Sequence, residues 1–205
     1  MNPRGTTQGH IPLEMGQEKN FLKPKGASFD ENTGTLLLTI IDEWSVDVSA
    51  VQEAARKNGL TRKDEFHITV LDFKNGAEVK KALQRLPEDT RQHALSQIKT
   101  LIDGTDWSFA FEPQKYHISK VYAARGPAHK GAEARERRES YIQMVSVPGM
   151  KIFYHKLNSI LGTTLEAPPA HITLYTGGDD KERAKMGIGI HSQEEFLKLN
   201  PKPLP

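Results

Sequence analysis

The chain has 205 residues, of which 37% are hydrophobic and 26% are charged, and its formal net charge is +2. This composition is typical of a soluble globular protein that is long enough for one domain with a core. The weak positive charge permits an anionic ligand without requiring one. The chain has no cysteine, which excludes disulfides, sites built from cysteine thiolates and a cysteine nucleophile.

The sequence carries no pattern for secretion or for membrane insertion. The segment Met1–Asn20 has no apolar stretch of the kind that a secretory signal needs. The longest apolar run, Leu36–Ile41, is interrupted by Thr39 and is far too short to cross a bilayer. We therefore expect a cytoplasmic protein without a membrane partner, and no obligate protein partner is evident.

The two ends of the chain differ in composition from its middle. Residues 1–34 are rich in Gly, Pro, Asn, Lys and Gln and have little periodicity, which predicts a flexible N-terminal arm. Three prolines at the other end predict a C-terminal tail over residues 199–205. We therefore assign a single domain to residues 35–198.

The first half of this domain begins with a β-rich run, followed by a helix that Asn58 and Gly59 bring to an end. Strict alternation of polar and apolar residues then predicts a second strand. An apolar stripe after it predicts a helical stretch that breaks near Pro87. These predicted elements cover residues 35–42, 45–58, 65–73 and 76–101.

The second half is richer in strands. We predict strands over residues 107–111 and 116–123 with a turn at Pro113, and then a strand over 140–147, a helix over 149–161 and strands over 170–175 and 186–191. Because several predicted strands follow one another directly, the order favours an α+β fold with largely antiparallel sheets over a doubly wound fold. The sequence contains no Gly-rich phosphate loop.

Two predicted strands carry the same tripeptide, His67-Ile68-Thr69 in the first half and His171-Ile172-Thr173 in the second. Side chains alternate between the two faces of a strand. The His and Thr of each motif therefore project from one face, while the Ile between them points to the core. Each motif thus presents one imidazole and one hydroxyl from a rigid strand.

Two such faces that meet across a groove would suit the cleavage of a phosphodiester. One neutral imidazole accepts a proton from the attacking water or hydroxyl, and the other, protonated, donates one to the leaving oxygen. Histidine suits both tasks because its ordinary pKa lies near neutrality. The threonine hydroxyls can donate hydrogen bonds to the non-bridging phosphate oxygens. This scheme needs no metal and no cofactor.

A third segment, His117-Ile118-Ser119, also fits the short His-x-Ser/Thr pattern, and one copy is expected by chance in this composition. Three features favour the outer two motifs. They share an identical tripeptide followed by an aliphatic residue, each follows a helix and a loop, and they lie about one half-domain apart, as an internal duplication would place them.

These features resemble the 2H phosphoesterase superfamily, which includes the bacterial 2′-5′ RNA ligase-like proteins and cyclic nucleotide phosphodiesterases. The resemblance covers most of residues 35–192. It implies a bilobal, pseudo-symmetric α+β fold in which two antiparallel sheets flank a central groove and the helices lie outside. It also makes His67 and His171 the acid–base pair and Thr69 and Thr173 the phosphate-binding residues. Some members have an arginine shortly after the second motif, where this chain has Tyr175 and Thr176.

The resemblance implies a metal-independent phosphodiesterase that acts on a nucleotide or RNA substrate, with a 2′,3′-cyclic phosphate as the default. Degradation of 2′-5′ or cyclic oligonucleotide signals is the second hypothesis. Two readings of other classes stay open: a non-catalytic nucleotide-binding module, and a zinc enzyme that uses His67, His171 and either His117 or His191. Further candidates for contact with the substrate are Tyr175, which shares the face of Thr173 if the strand continues, and Tyr116 and His117 on a neighbouring strand.

Overall fold

The computed structural model describes residues 20–40, 48–123 and 135–204, and within these ranges the chain forms eight strands and six helices. None of the described helices has the length and apolar character needed to cross a membrane. The strands are β1 Gly26–Asp30, β2 Thr35–Thr39, β3 Thr61–Arg62, β4 His67–Leu71, β5 Ala110–Ala123, β6 Arg135–Ser146, β7 His171–Gly178 and β8 Lys202–Pro203. The helices are α1 Ser49–Lys57, α2 Phe73–Gln84, α3 Glu88–Gly104, α4 Pro148–Leu161, α5 Lys181–Ala184 and α6 Gln193–Lys198.

All described strand pairs are antiparallel, and they join into one open sheet in the order β1-β2-β4-β7-β6-β5-β8. The short strand β3 pairs with the far end of β7. The α+β class with an antiparallel sheet is therefore confirmed. The two strands that carry the His-Ile-Thr motifs, β4 and β7, are neighbours at the middle of the sheet.

The main core lies between the sheet and helices α1 to α4. It is formed by apolar residues of the four helices and by one face of the strands, with Ile68 and Ile172 fully buried at its centre. We call this side of the sheet the helix face. A smaller core lies on the opposite side, where the irregular segment after α5 and helix α6 pack on β5 and β6. Its buried members are Ile118, Ile142, Ile188, Ile190 and Phe196.

Local signals explain where the main helices begin and end. The Asp72 side chain accepts a hydrogen bond from the backbone N–H of Asn75 (2.9 Å) and so caps the start of α2. Pro148 stands in the first turn of α4, where no N–H partner is needed. Gly162 ends that helix with a φ of 63°, a left-handed conformation that glycine adopts without strain.

Parts of both segments that we assigned outside the domain take part in the sheet. Strand β1, within the predicted arm, pairs with β2 over its full length, and Leu22 forms a bridge with Phe109. Strand β8, within the predicted tail, pairs with β5. Composition alone does not reveal that a distant strand edge offers hydrogen bonds to these segments. Residues 1–19 lie outside the described residues.

Two predictions about strands were wrong. Residues 107–111 and 116–123 are not two strands with a turn, because β5 runs through Pro113 with an irregularity between Phe111 and Lys115. Proline lacks the N–H that a regular ladder needs, and a bulge tolerates it. Residues 186–191 form no strand. Their alternating isoleucines fill the smaller core as an irregular segment instead.

Candidate active site

The two motifs meet through a single residue pair, in which Ile68 on β4 lies opposite Ile172 on β7. Because the strands are antiparallel, this register sets His67 opposite Thr173 and Thr69 opposite His171. All four side chains then project from the face opposite the helices. We call this side of the sheet the motif face. The structure therefore brings together the imidazoles and hydroxyls that the sequence pairs.

His171 is held in a defined orientation. Its side chain is buried, with 9% of the residue exposed, and Nδ1 lies 2.9 Å from the carbonyl oxygen of Pro169. A carbonyl oxygen only accepts, so Nδ1 must carry the hydrogen and donate it. In the neutral ring the lone pair is then on Nε2, which can accept a proton and, once protonated, can donate it.

The surroundings lower the pKa of both imidazoles. For His171 the cause is burial, which opposes charge, while the Pro169 carbonyl and the carboxylate of Asp72 act in the other direction. For His67 the main cause is again burial, reinforced by the positive charges of Lys63 and His171 and partly offset by Glu65. The charge of one histidine thus acts directly on the other, so protonation of one disfavours protonation of its neighbour.

The hydroxyls of Thr69 and Thr173 remain available to a ligand. Both residues are half-buried on the motif face. Neither side chain forms a hydrogen bond with another of the residues that the structure describes. Each hydroxyl can therefore donate to an anionic oxygen bound between the two strands.

Tyr175 does not lie on the motif face. The pairing of β6 with β7 shifts register between Tyr141 and Ile142, so that Tyr141 lies opposite Tyr175 while Ile142 lies opposite Thr173. This bulge adds one residue and reverses the alternation that follows it. Tyr175 is consequently buried in the main core, with 5% exposed, and its ring lies 6.3 Å from that of Tyr141. Thr176 takes the position on the motif face.

His117 and Tyr116 lie on opposite faces of β5, and neither joins the four motif side chains. His117 packs on Tyr141 with a ring separation of 5.1 Å, which places it on the helix face, and its Nε2 lies 3.5 Å from Glu139. Tyr116 is on the motif face but packs edge-to-face on Phe196 under α6.

Because His117 is on the other side of the sheet, it cannot share a metal ion with His67 and His171. Within the described ranges, no group of three or more His, Cys, Asp or Glu side chains is arranged to hold a metal.

No role was predicted from the sequence for Asp72, whose carboxylate acts on His171, and its partner His191 was considered only as a zinc ligand. Asp72 follows β4 directly, and its carboxylate binds Nδ1 of His191 from the C-terminal segment. The same carboxylate acts on the charge of His171. An acidic residue directly after a motif strand was the only signal in the sequence for this pair.

Residues 185–191 of the C-terminal segment form a wall beside the motifs. A β-carbon on Gly187, which has a φ of 71°, would lie 3.7 Å from the methyl groups of Thr173 and Thr176. At one end of the wall Lys63 Nζ donates to the carbonyl oxygen of Lys185 (2.8 Å). At the other end, Asp72 binds His191. One residue before β4 and one residue after it therefore bind the two ends of this wall.

Comparisons of the chain with protein-family models, curated proteins and solved structures found no match. The geometry of the motif face is therefore the basis for assigning a function.

Proposed function

We propose that the protein is a metal-independent phosphodiesterase of the 2H type that acts on a nucleotide or RNA phosphodiester. One observation carries the proposal: the pairing of Ile68 with Ile172 sets two imidazoles and two hydroxyls on one face of two adjacent strands. Two copies of the motif that arose by chance would not be expected to pair in antiparallel register on neighbouring strands.

The order of elements gives independent support for a bilobal, pseudo-symmetric fold. A hairpin, a helix and a motif strand occur in the same order twice, first as β1, β2, α1 and β4 and then as β5, β6, α4 and β7. The two-residue strand β3, between α1 and β4, has no counterpart in the second set. In the sheet the two sets run outward from the centre in the same order, motif strand, second hairpin strand, first hairpin strand. Between the halves, β4 and β7 share one residue pair, and the short strand β3 adds two pairs with the far end of β7. This sparse pairing is expected for two lobes on either side of a groove.

The mutual repulsion of the two imidazolium charges suits acid–base catalysis. With both pKa values lowered, the free enzyme holds the histidines mainly neutral at neutral pH. A phosphodiester brings a negative charge that favours uptake of one proton, while repulsion opposes a second. The complex then holds one acid and one base, which is the state that the reaction needs.

We assign the acid role to His171 and the base role to His67. The carboxylate of Asp72 favours the protonated form of His171 against the effect of burial, whereas at His67 the ammonium of Lys63, which opposes protonation, acts more strongly than the carboxylate of Glu65. In this scheme His67 removes a proton from water, whose oxygen attacks phosphorus. The bond from phosphorus to the leaving ribose oxygen breaks, and His171 donates its proton to that oxygen. Thr69 and Thr173 stabilise the charge on the non-bridging oxygens.

Hydrolysis of a small substrate panel in excess EDTA tests the proposal. The panel contains 2′,3′-cyclic mononucleotides, 2′-5′ and 3′-5′ linked dinucleotides and cyclic dinucleotides. We expect the wild type to cleave at least one member, and His67→Ala or His171→Ala to lower that rate by about 10²–10⁴-fold. His117→Ala, which removes a histidine from the other face, is the matched control and is expected to retain the rate.

The outcomes separate the alternatives. Binding of panel members without cleavage would favour the nucleotide-binding module, and loss of activity in EDTA would favour metal catalysis. A rate that depends equally on His117 would show that the pairing of the histidines is wrong.

A further inference from the structure

A cavity of about 620 Å³ opens beside the motifs. Its walls are the loop between β3 and β4, the end of β7 and helix α5. Its polar lining includes Lys63, Asp64, Glu65, Thr176, Lys181 and Lys185. Ligand sites in proteins typically enclose between about 300 and 1,000 Å³, so this volume suits a small organic group rather than a single ion.

The cavity lies next to the motif face on the side of His67, although none of the four motif side chains lines it. Lys63 and Glu65 line the cavity, and the charges of both act on the His67 imidazole. Thr176 lies on the motif face beyond Thr173 and also lines the cavity. A ligand whose phosphate lies between His67 and His171 would therefore reach the cavity past Thr176.

The lining combines cations with hydrogen-bond acceptors. Lys63 Nζ already donates a hydrogen bond to the backbone carbonyl oxygen of Lys185. Lys185 Nζ in turn donates one to the carboxylate of Glu182 (2.9 Å). The exposed Lys181 has no ion-pair partner among the residues that the structure describes, so its ammonium is available to an anionic group. Asp64 and Glu65 are exposed carboxylates on the opposite wall. Among the described residues that line the cavity, none is aromatic.

This combination fits a ribose with its phosphate better than a stacked base. Lysine binds a phosphate group as a point charge. Carboxylates accept hydrogen bonds from sugar hydroxyls, and the 2′-hydroxyl is the group that separates RNA from DNA. A base would stack on a ring or a guanidinium plane. The guanidinium of Arg62, which also lines the cavity, already lies over the ring of Phe66, 5.4 Å from its centroid.

We propose that this cavity is a subsite for a second ribonucleotide, linked to the nucleotide whose phosphate lies between the histidines. The inference rests on the proposed phosphodiesterase function and narrows its substrate to short or longer RNA. Lys181 binds the phosphate of the second nucleotide, and Asp64 accepts a hydrogen bond from its 2′-hydroxyl. An isolated cyclic mononucleotide leaves the cavity empty.

Three matched substrates test the subsite: adenosine 2′,3′-cyclic phosphate, the diadenylate that ends in a 2′,3′-cyclic phosphate, and the same diadenylate with a 2′-deoxyribose in its first nucleotide. We expect the diadenylate to have a kcat/KM at least about fivefold above that of the mononucleotide, equivalent to about 1 kcal/mol. Lys181→Ala should remove most of this advantage and leave the mononucleotide unchanged. Asp64→Ala should remove the preference for the ribose over the deoxyribose.

Lys156→Ala, an exposed lysine on α4, is the control for loss of one positive charge. Equal kcat/KM for one and two nucleotides, or equal losses on both in Lys181→Ala, would overturn the subsite while the phosphodiesterase proposal stands. If no substrate is cleaved, that proposal fails. The cavity is then tested by binding of fluorescently labelled diadenylate, and equal Kd values for wild type and Lys181→Ala would overturn the subsite as well.

Discussion

Ile68 and Ile172 lie opposite each other across β4 and β7, and they form the only residue pair that joins these strands in the described sheet. Both side chains are fully buried against the helices. Because the side-chain period of a strand is two, burial of this pair obliges the flanking His and Thr of both motifs to project from the other face. The core thus determines the arrangement of the candidate catalytic groups.

The acid and base roles can be separated with substrates that differ in their leaving group. A 4-nitrophenyl phosphodiester releases an anion stable enough to leave without a proton. His171→Ala should therefore lose about 10²–10⁴-fold on a ribonucleotide diester but far less on the nitrophenyl diester. His67→Ala should lose similar factors on both, because water must be deprotonated in either case. Steady-state rates provide the measurement. If His67→Ala, and not His171→Ala, loses far less on the nitrophenyl diester than on the ribonucleotide diester, the two roles are reversed.

Asp72→Asn should shift the pH dependence of catalysis. The Asp72 carboxylate raises the pKa of His171, so its removal lowers that pKa further. If protonated His171 is the acid, the alkaline limb of the kcat/KM profile moves to lower pH. Asparagine still caps a helix well, so α2 should keep its start and thermal unfolding should change little. A pH profile that superimposes on that of the wild type would contradict a role for Asp72.

Tyr175 should matter for stability and not for substrate affinity. The bulge in β7 places its ring in the main core. Tyr175→Ala should therefore lower the free energy of unfolding by about 3–5 kcal/mol, as for other large aromatic truncations. Tyr175→Phe, which keeps the ring, should retain both stability and KM. Urea denaturation and steady-state kinetics measure the two effects. A rise of KM in Tyr175→Phe would place the hydroxyl in the substrate site instead.

Folding stability should fall on mild acidification. The folded-state pKa of His171 lies below the unfolded value, so the unfolded chain takes up its proton first as the pH falls. Its contribution to stability is complete above about pH 6.5, the unfolded histidine pKa, and is lost as the pH falls toward the folded pKa. In His171→Asn, the urea concentration at the midpoint of unfolding should therefore decrease less than in the wild type as the pH falls through this range. Thr173→Ala keeps both imidazoles, so its urea midpoint should depend on pH as in the wild type. The same pH dependence in His171→Asn would contradict the role given to His171.

The sequence predicted the motif strands well because their pattern is local. Alternation around His67 and His171 identified both strands and the faces of their side chains, and the structure has both as neighbours. The bulge that turns Tyr175 into the core was not predictable from alternation, since it depends on how β7 pairs with β6. His117 fits the same short pattern, and only the sheet register shows that it belongs to the other face.

Contacts between distant segments were the other part that the sequence could not supply. The pairing of β1 with β2 and of β8 with β5 depends on strand edges that composition does not describe. The contact of Asp72 with His191 joins residues far apart in the chain. Apart from the position of Asp72 directly after a motif strand, the sequence carries no signal for this contact, so the contact emerges only from the fold.

The central claim is that His67 and His171 act as one catalytic pair, and a double-mutant cycle tests it most directly. We predict that His67→Ala and His171→Ala each lower kcat by about 10²–10⁴-fold. The double variant should lose no more than about tenfold beyond the slower single variant, since residues that act as a unit are strongly non-additive. His117→Ala should retain the wild-type kcat. Single variants that retain the wild-type rate, or losses that simply multiply in the double variant, would contradict the claim.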